Sequence, residues 1–311
     1  MSLSIHLISR SIPDLQHILT CTLSTCHESD SWYGYRPSLV PNAVLLAFSV
    51  LSLIGYVLEG IFRPDLKGIT IVMAIGAFGE ALGYLGRSLS HLDPFSKIPY
   101  IIQSVCLTIS PIFLAAGLYL IFPEVTRSLD IPYSRCRISI PRAFISCDIL
   151  AFLLLSAGAG LLASPRPTIT TTKVGFYVLS AGVVFQALTL ASFIAVSADA
   201  ACQNWPRIAV IWAMRDVDRF RGLTDRRVKY GTRGILIALP VSALVILIER
   251  IYYAVEIISG HGRLIGPETL NVFLDGVMIC LAMLLQNVFH PGICFQTRAR
   301  ISVKREVMGT L

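Results

Sequence analysis

Seven apolar runs, each close to the ~20 residues of helix that cross a hydrocarbon layer of roughly 30 Å, leave this chain few folds to adopt. They fall near residues 42–62, 69–89, 100–122, 143–163, 174–198, 234–257 and 270–289. None alternates with the two-residue period of a membrane barrel strand, and a lipid-exposed backbone must satisfy its own hydrogen bonds. The composition agrees: 54% of residues are hydrophobic and 14% charged, at a mean hydropathy of +0.69. The expected fold is all-α, a polytopic membrane protein with seven transmembrane helices.

The formal net charge of +7 could suggest nucleic acid, but the placement of the charge indicates topology instead. Of the 26 Lys and Arg residues, seven fall in the N-terminal tail and the second, fourth and sixth connections. Eighteen fall in the first, third and fifth connections and the C-terminal tail, and Arg250 lies within a span. The positive-inside bias puts the N-terminus outside and the C-terminus in the cytoplasm. That divides the chain into an extracytoplasmic tail (1–41), a seven-helix domain (42–292) and a cytoplasmic tail (293–311). The first 40 residues lack the apolar core of a cleavable signal, so the first span is expected to act as signal and anchor. Cys21 and Cys26 both fall on the oxidising side, where a disulfide between them and two free thiols are both open readings.

Groups that are costly in lipid mark the interior. Gly76, Gly79, Gly83 and Gly86 share one narrow stripe of the second span, flanked by Glu80 and Arg87 seven residues apart. A neighbouring helix can approach such a stripe closely, which places the Glu80 carboxylate inside the bundle. A structural Glu80–Arg87 pair is the alternative. The third span carries Gln103, then Pro111, whose missing donor bends a helix, then Ala115, Ala116 and Tyr119. Asp148 lies several residues inside the fourth span, ahead of Ser156, Gly158 and Gly160; Gly182 and Gln186 occupy the fifth. Glu249, Arg250 and Glu256 sit toward the outer end of the sixth. On the seventh, Glu268, Asn271, Asp275, Ala282 and Gln286 form a polar stripe that lipid would not tolerate. Glu59 reads as a boundary residue reaching toward water, and 33–38 as an aromatic interfacial anchor. Between the fifth and sixth spans, the apolar run 208–214 beside dense basic charge reads as an amphipathic helix on the inner leaflet.

In order along the chain stand Tyr-Gly-Tyr-x-Pro-Ser at 33–38, Glu80-x-x-Gly83-Tyr84-x-Gly86-Arg87, Gln103, Pro111 with Ala116 and Tyr119, and Asp148 with its glycines. Gly182-x-x-x-Gln186, Glu256 before Gly260, Glu268 with Asp275, and His290-Pro291-Gly292 follow. This succession, covering most of the chain, resembles the fungal lipid-translocating exporter family, which includes aminocholesterol-resistance proteins and sphingoid long-chain-base exporters. The resemblance implies seven helices, outward movement of amphipaths and resistance to toxic lipids or drugs; some relatives are linked to porphyrin or haem traffic. Two departures stand out: Glu249, Arg250 and Tyr253 where the family commonly has arginines, and Ser156 in place of a glutamine.

The residues themselves suggest a carboxylate-lined cavity that takes the cationic head of an amphipath. Glu80, Asp148 and Asp275 are the candidate lining, with Gln103, Tyr119 and Gln186 as hydrogen-bonding neighbours and Arg87, Glu256 and Glu268 along the same path. The expected partners are an amphipathic lipid-like substrate and membrane lipids, without nucleic acid, metal or cofactor. The expected location is the plasma membrane, with an endomembrane as the alternative. A seven-helix receptor is a second reading, although no acidic-Arg-Tyr switch ends the third span and no Asn-Pro-x-x-Tyr occurs in the seventh. An enzyme is not expected. The six histidines lie outside the spans or at their ends, where zinc hydrolysis inside the bundle cannot use them, and no Gly-x-x-x-x-Gly-Lys loop is present.

Overall fold

A computed structural model of the chain describes residues 25–28, 31–129, 139–162, 164, 168–213, 226–259 and 268–294. Among these, seven helices are long and apolar enough to cross a membrane. We label the helices α1 (Leu39–Phe62), α2 (Lys67–Leu92), α3 (Lys97–Ser128), α4 (Ser139–Leu162), α5 (Ile169–Gln203), the short α6 (Trp205–Ala213), α7 (Arg226–Ser259) and α8 (Glu268–Cys294). All but α6 are spans. The protein is therefore an all-α, multi-pass membrane protein, as its apolar runs require.

The helices overrun the hydropathy boundaries, with polar added turns at the start of α5 and the end of α3 and an apolar one at the start of α1. Helix α1 starts at Leu39, after an extended Ser38, rather than at Asn42. Helix α5 reaches 35 residues, opened by a capping box in which Thr168 Oγ1 accepts from the Thr171 N–H at 3.2 Å and Thr171 Oγ1 from the Thr168 N–H at 2.8 Å. Helix α3 continues through Pro111 and Pro123, and α7 through Pro240.

Helix α3 is the most enclosed span, while α1 and α4 turn broad aliphatic faces outward, including Leu51, Ile61, Ile149 and Leu153. Those faces are what lipid contacts. The glycine stripe of α2 packs on α3. A Cβ on Gly86 would stand 2.7 Å from the Pro99 carbonyl oxygen, and one on Gly76 would meet Leu114 at 3.0 Å. That close approach turns Glu80, Tyr84 and Arg87, all buried, toward the interior.

Three local readings change. Glu59 is largely drawn inward, with 11% of its side chain exposed: its Oε2 lies 3.8 Å from Nδ1 of the fully buried His290, because α1 and α8 close on one another where Arg63 donates to the Gly292 carbonyl. The aromatic stretch before α1 folds over the bundle end, with Trp32 and Tyr33 buried against it rather than free as a simple anchor. The amphipathic segment begins earlier than expected, as α6, with Ile208 buried and Trp205 exposed. Cys26 is disulfide-bonded; Cys21, its partner in one of the two open readings, lies outside the described residues, as do most of the C-terminal tail and the charged run 214–225.

Candidate functional site

The largest fully enclosed side chain is that of Arg250, 1% exposed on α7. An isolated buried ion costs several kcal/mol, so its partners define the site. Glu249 on the preceding residue, itself fully buried, binds the guanidinium through both carboxylate oxygens. Arg250 Nη1 also donates to the Thr108 carbonyl at 3.0 Å and to Gln186 Oε1 at 3.5 Å. The guanidinium carbon stands 5.2 Å from the centre of the Tyr253 ring, a cation–π contact. Thr108 Oγ1 donates to the Ser104 carbonyl, so at 2.8 Å it accepts from the Tyr253 hydroxyl. Three spans, α3, α5 and α7, are thereby tied to one cation.

Helix α8 brings the opposing carboxylate. Its second turn, Val272–Val277, is a π-helix, a wide turn that recurs at functional sites, and Asp275 lies on it. Asp275 shares a cavity wall with Arg87, Arg250 and Glu256, and Glu80 lies within electrostatic reach of Asp275, Glu249 and Arg250. The Glu80–Arg87 pair does not form, because Arg87 is drawn to Glu268 and Tyr35 instead. Glu80, Glu249, Glu256, Glu268 and Asp275 thus gather around Arg87 and Arg250, five carboxylates against two guanidiniums. Between them lies a cavity of about 20 Å³ lined by Arg87, Gln103, Arg250, Glu256, Asn271 and Asp275. That volume suits one water-sized polar group.

The segment 31–38 closes this cavity from the N-terminal face. Gly34 adopts φ 75°, a left-handed turn that sends Tyr33 and Tyr35 into the bundle together. The Tyr33 hydroxyl stands 2.6 Å from Gln103 Oε1 and 2.8 Å from Ser90 Oγ. Ser90 spends its own proton on the Gly86 carbonyl, so Tyr33 divides one proton between two acceptors. The Tyr35 hydroxyl accepts from Arg87 Nη2 at 2.9 Å. Arg87 Nη2 also lies 3.8 Å from Glu268 Oε1, and Glu268 accepts from the Ser38 backbone N–H at 2.8 Å and from the Ser38 hydroxyl. Ser38 occupies the N-cap position of α1 but gives its side chain to Glu268 rather than to its own helix. Trp32 donates to the Phe95 carbonyl at 2.8 Å and stacks on Tyr100. Burial pushes the Tyr33 phenol up to about 12 and raises Tyr35 as well, so both stay neutral hydrogen-bonding groups.

The residues singled out by sequence divide in two. Arg87, Gln103, Glu256 and Asp275 line the polar cavity, Glu80, Gln186 and Glu268 stand in the network around it, and Tyr119 and Asp148 form a separate place. Asp148, 2% exposed on α4, faces the Tyr119 hydroxyl, yet neither its carboxylate oxygens nor that hydroxyl reaches hydrogen-bond geometry. Rings of Tyr119, Phe122, Phe144 and Phe193 pack edge to face beside it. Sequence reasoning left out Glu249, Arg250, Thr108 and Tyr253 as site residues. Two adjacent opposite charges inside an apolar run were the available signal for the first two. No group of three or more His, Cys, Asp or Glu side chains among the described residues has the arrangement of a metal site.

The profile of the RTA1-like protein family matches residues 73–298, well over half of the chain. The chain belongs to the RTA1-like family. It is 25% identical over 304 residues to the sphingoid long-chain base transporter RSB1 of Saccharomyces cerevisiae, an alignment covering 89% of this chain and 78% of that one. It is 29% identical over 236 residues to protein RTA1 of the same yeast (74% and 68% covered) and 28% over 227 residues to its protoporphyrin uptake protein 1 (68% and 65%). No solved structure matches. In this RTA1-like chain the family match begins inside α2, so every carboxylate of the polar cluster falls within it, and the closing segment 31–38 lies ahead of it.

Proposed function

We propose that this RTA1-like protein moves cationic amphipaths, sphingoid long-chain bases as a class, across the membrane, taking the amine at the Arg250–Asp275 cluster. The excess of carboxylate over guanidinium in this enclosed cluster, with Glu80 and Glu249 buried and Glu256, Glu268 and Asp275 half-buried around Arg87 and Arg250, in a chain of net charge +7, is the observation that supports this reading. An ammonium head is about the size of the water-sized cavity and brings three donors for Asp275, Glu256 and Gln103. Charge pairing is strong where water is scarce, so few carboxylates suffice. Segment 31–38 acts as the gate on the N-terminal face, which the basic bias of the opposite connections assigns to the outside. The seven helices supply the transport unit, and Asp148 with Tyr119 offers a second station for the amine toward the other face. The similarity to a transporter of sphingoid bases supports the cargo class, and the chain acts without catalysing a reaction.

Reconstitution into liposomes loaded separately with a labelled sphingoid base, a neutral sterol and a porphyrin, with and without a proton gradient, tests this reading. The base is expected to move much faster than in empty liposomes and the sterol not at all. Movement of porphyrin alone would move the assignment to the cargo named for the uptake relative.

A further inference from the structure

A second cavity lies at the other end of the bundle, and its chemistry is the opposite of the first. It measures about 150 Å³ and is walled by Phe122 of α3, Ile194 of α5, Ile208 of α6, and Ile235 and Leu239 of α7. Two hydroxyls also border it, but neither faces inward with a free proton: Thr126 Oγ1 donates to the Pro123 carbonyl at 3.0 Å and Ser197 Oγ to that of Ile194 at 2.9 Å. The wall therefore offers water no donor, only the spare lone pairs of two hydroxyls in an otherwise apolar lining. An apolar cavity of this size stays dry and admits a hydrocarbon of about six carbons. Room exists because α5 presents Ala198, Ala200 and Ala201 where bulkier residues would fill the gap. Ala198 of α5 and Pro240 of α7 border the cavity and are exposed, so its mouth opens sideways between two spans, where lipid stands. Leu239 is fourteen residues from Tyr253 on α7, about 21 Å of helix, and the packed rings of Tyr119, Phe122 and Phe193 lie in between.

We propose that this cavity binds the end of a single unbranched alkyl chain, entering between α5 and α7 from the leaflet on that side, whatever headgroup the lipid carries. Fused-ring molecules such as sterols exceed the space, and a polar group would enter unpaired. The inference goes beyond amine recognition and does not need it.

The test uses the full chain in lipid nanodiscs with two probes, octadecylamine and octadecanol, each carrying a photoactivatable diazirine near the chain end. After irradiation, adducts mapped by mass spectrometry are expected on the lining residues of 194–201 and on Ile235, Leu236, Leu239 and Pro240 for both probes, and to fall on competition with excess unlabelled octadecanol. Filling the cavity with Ala201→Phe is expected to reduce them about tenfold or more, since each buried methylene is worth roughly 0.8 kcal/mol. Ser197→Leu serves the same purpose if circular dichroism shows the first variant to be unfolded. Absence of adducts there, uncompeted adducts spread over outward-facing residues such as Ile237 and Leu244, unchanged labelling in a folded filled variant, or labelling by the amine alone would overturn the proposal. Failure of base transport with both probes still labelling the cavity would remove only the amine reading.

Discussion

The two cavities share walls on α3 and α7, yet one end of the bundle is built from charge and the other from hydrocarbon. At the N-terminal end, α3 contributes Gln103 and Thr108 and α7 contributes Arg250 and Tyr253; at the far end the same helices contribute Phe122, Val125, Ile235 and Leu239. The polar end is small and sealed by aromatic rings that hydrogen-bond to its walls. The apolar end is larger and open sideways. An amphipath has the same division of chemistry, so on the proposed reading head and chain are served at separate depths, with a packed aromatic layer between them.

Breaking the polar end should have the largest effect. Glu249→Ala leaves Arg250 buried and unpaired and should cost about 3–5 kcal/mol, seen as a large fall in thermal unfolding temperature in detergent. The double change to Met at 249 and 250 should recover most of that loss, because apolar residues of similar volume often replace a buried pair without penalty. Next comes the dry end, where Leu239→Asn introduces an amide with no partner and should destabilise by about 1–3 kcal/mol; a neutral result would mean that the cavity is wet. Gly86→Ala, which forces a methyl against the Pro99 carbonyl, should cost about 1–3 kcal/mol and displace Gln103 from Tyr33, as shifted near-ultraviolet dichroism would report.

The smallest effect belongs to the seal. Tyr33→Phe removes one shared proton, worth about 1 kcal/mol. Because burial raises the Tyr33 phenol from 10.0 to about 12, its contribution is complete below pH 10 and is lost as the pH rises through 12. Trp32 fluorescence, in a background lacking Trp205 and Trp212, should therefore change across that window in the parent, and Tyr33→Phe should diminish the change. Identical titrations would place Tyr33 outside the seal.

The fold was legible because seven apolar runs admit little else, and the glycine stripe of α2 announced its close contact with α3. Glu80 and Asp275 were legible from their cost in lipid. Arg250 was harder to read: beside Glu249 it resembles a self-contained pair, and hydropathy says nothing of the carbonyl and ring that complete its shell. The π turn at Asp275 is set by how α8 packs, not by residue spacing. Segment 31–38 has the composition of an interfacial anchor, and only the left-handed turn at Gly34 with the acceptors on α2 and α3 makes it a seal. Asp148 looked equivalent to Asp275 in sequence, yet the structure gives it a tyrosine and a wall of rings instead of arginines. The dry cavity is an absence between helices, which no local pattern encodes.

The most direct test compares the rate at which reconstituted protein moves a labelled sphingoid base with that of its N-acetylated, uncharged counterpart. Losing one charge-assisted contact, about 1.5–3 kcal/mol, corresponds to at least about tenfold, so the parent should favour the amine by that factor. Asp275→Asn, inserted at normal levels, should move both cargoes at nearly equal rates. Retention of the full amine preference by Asp275→Asn would contradict recognition of the amine at this cluster.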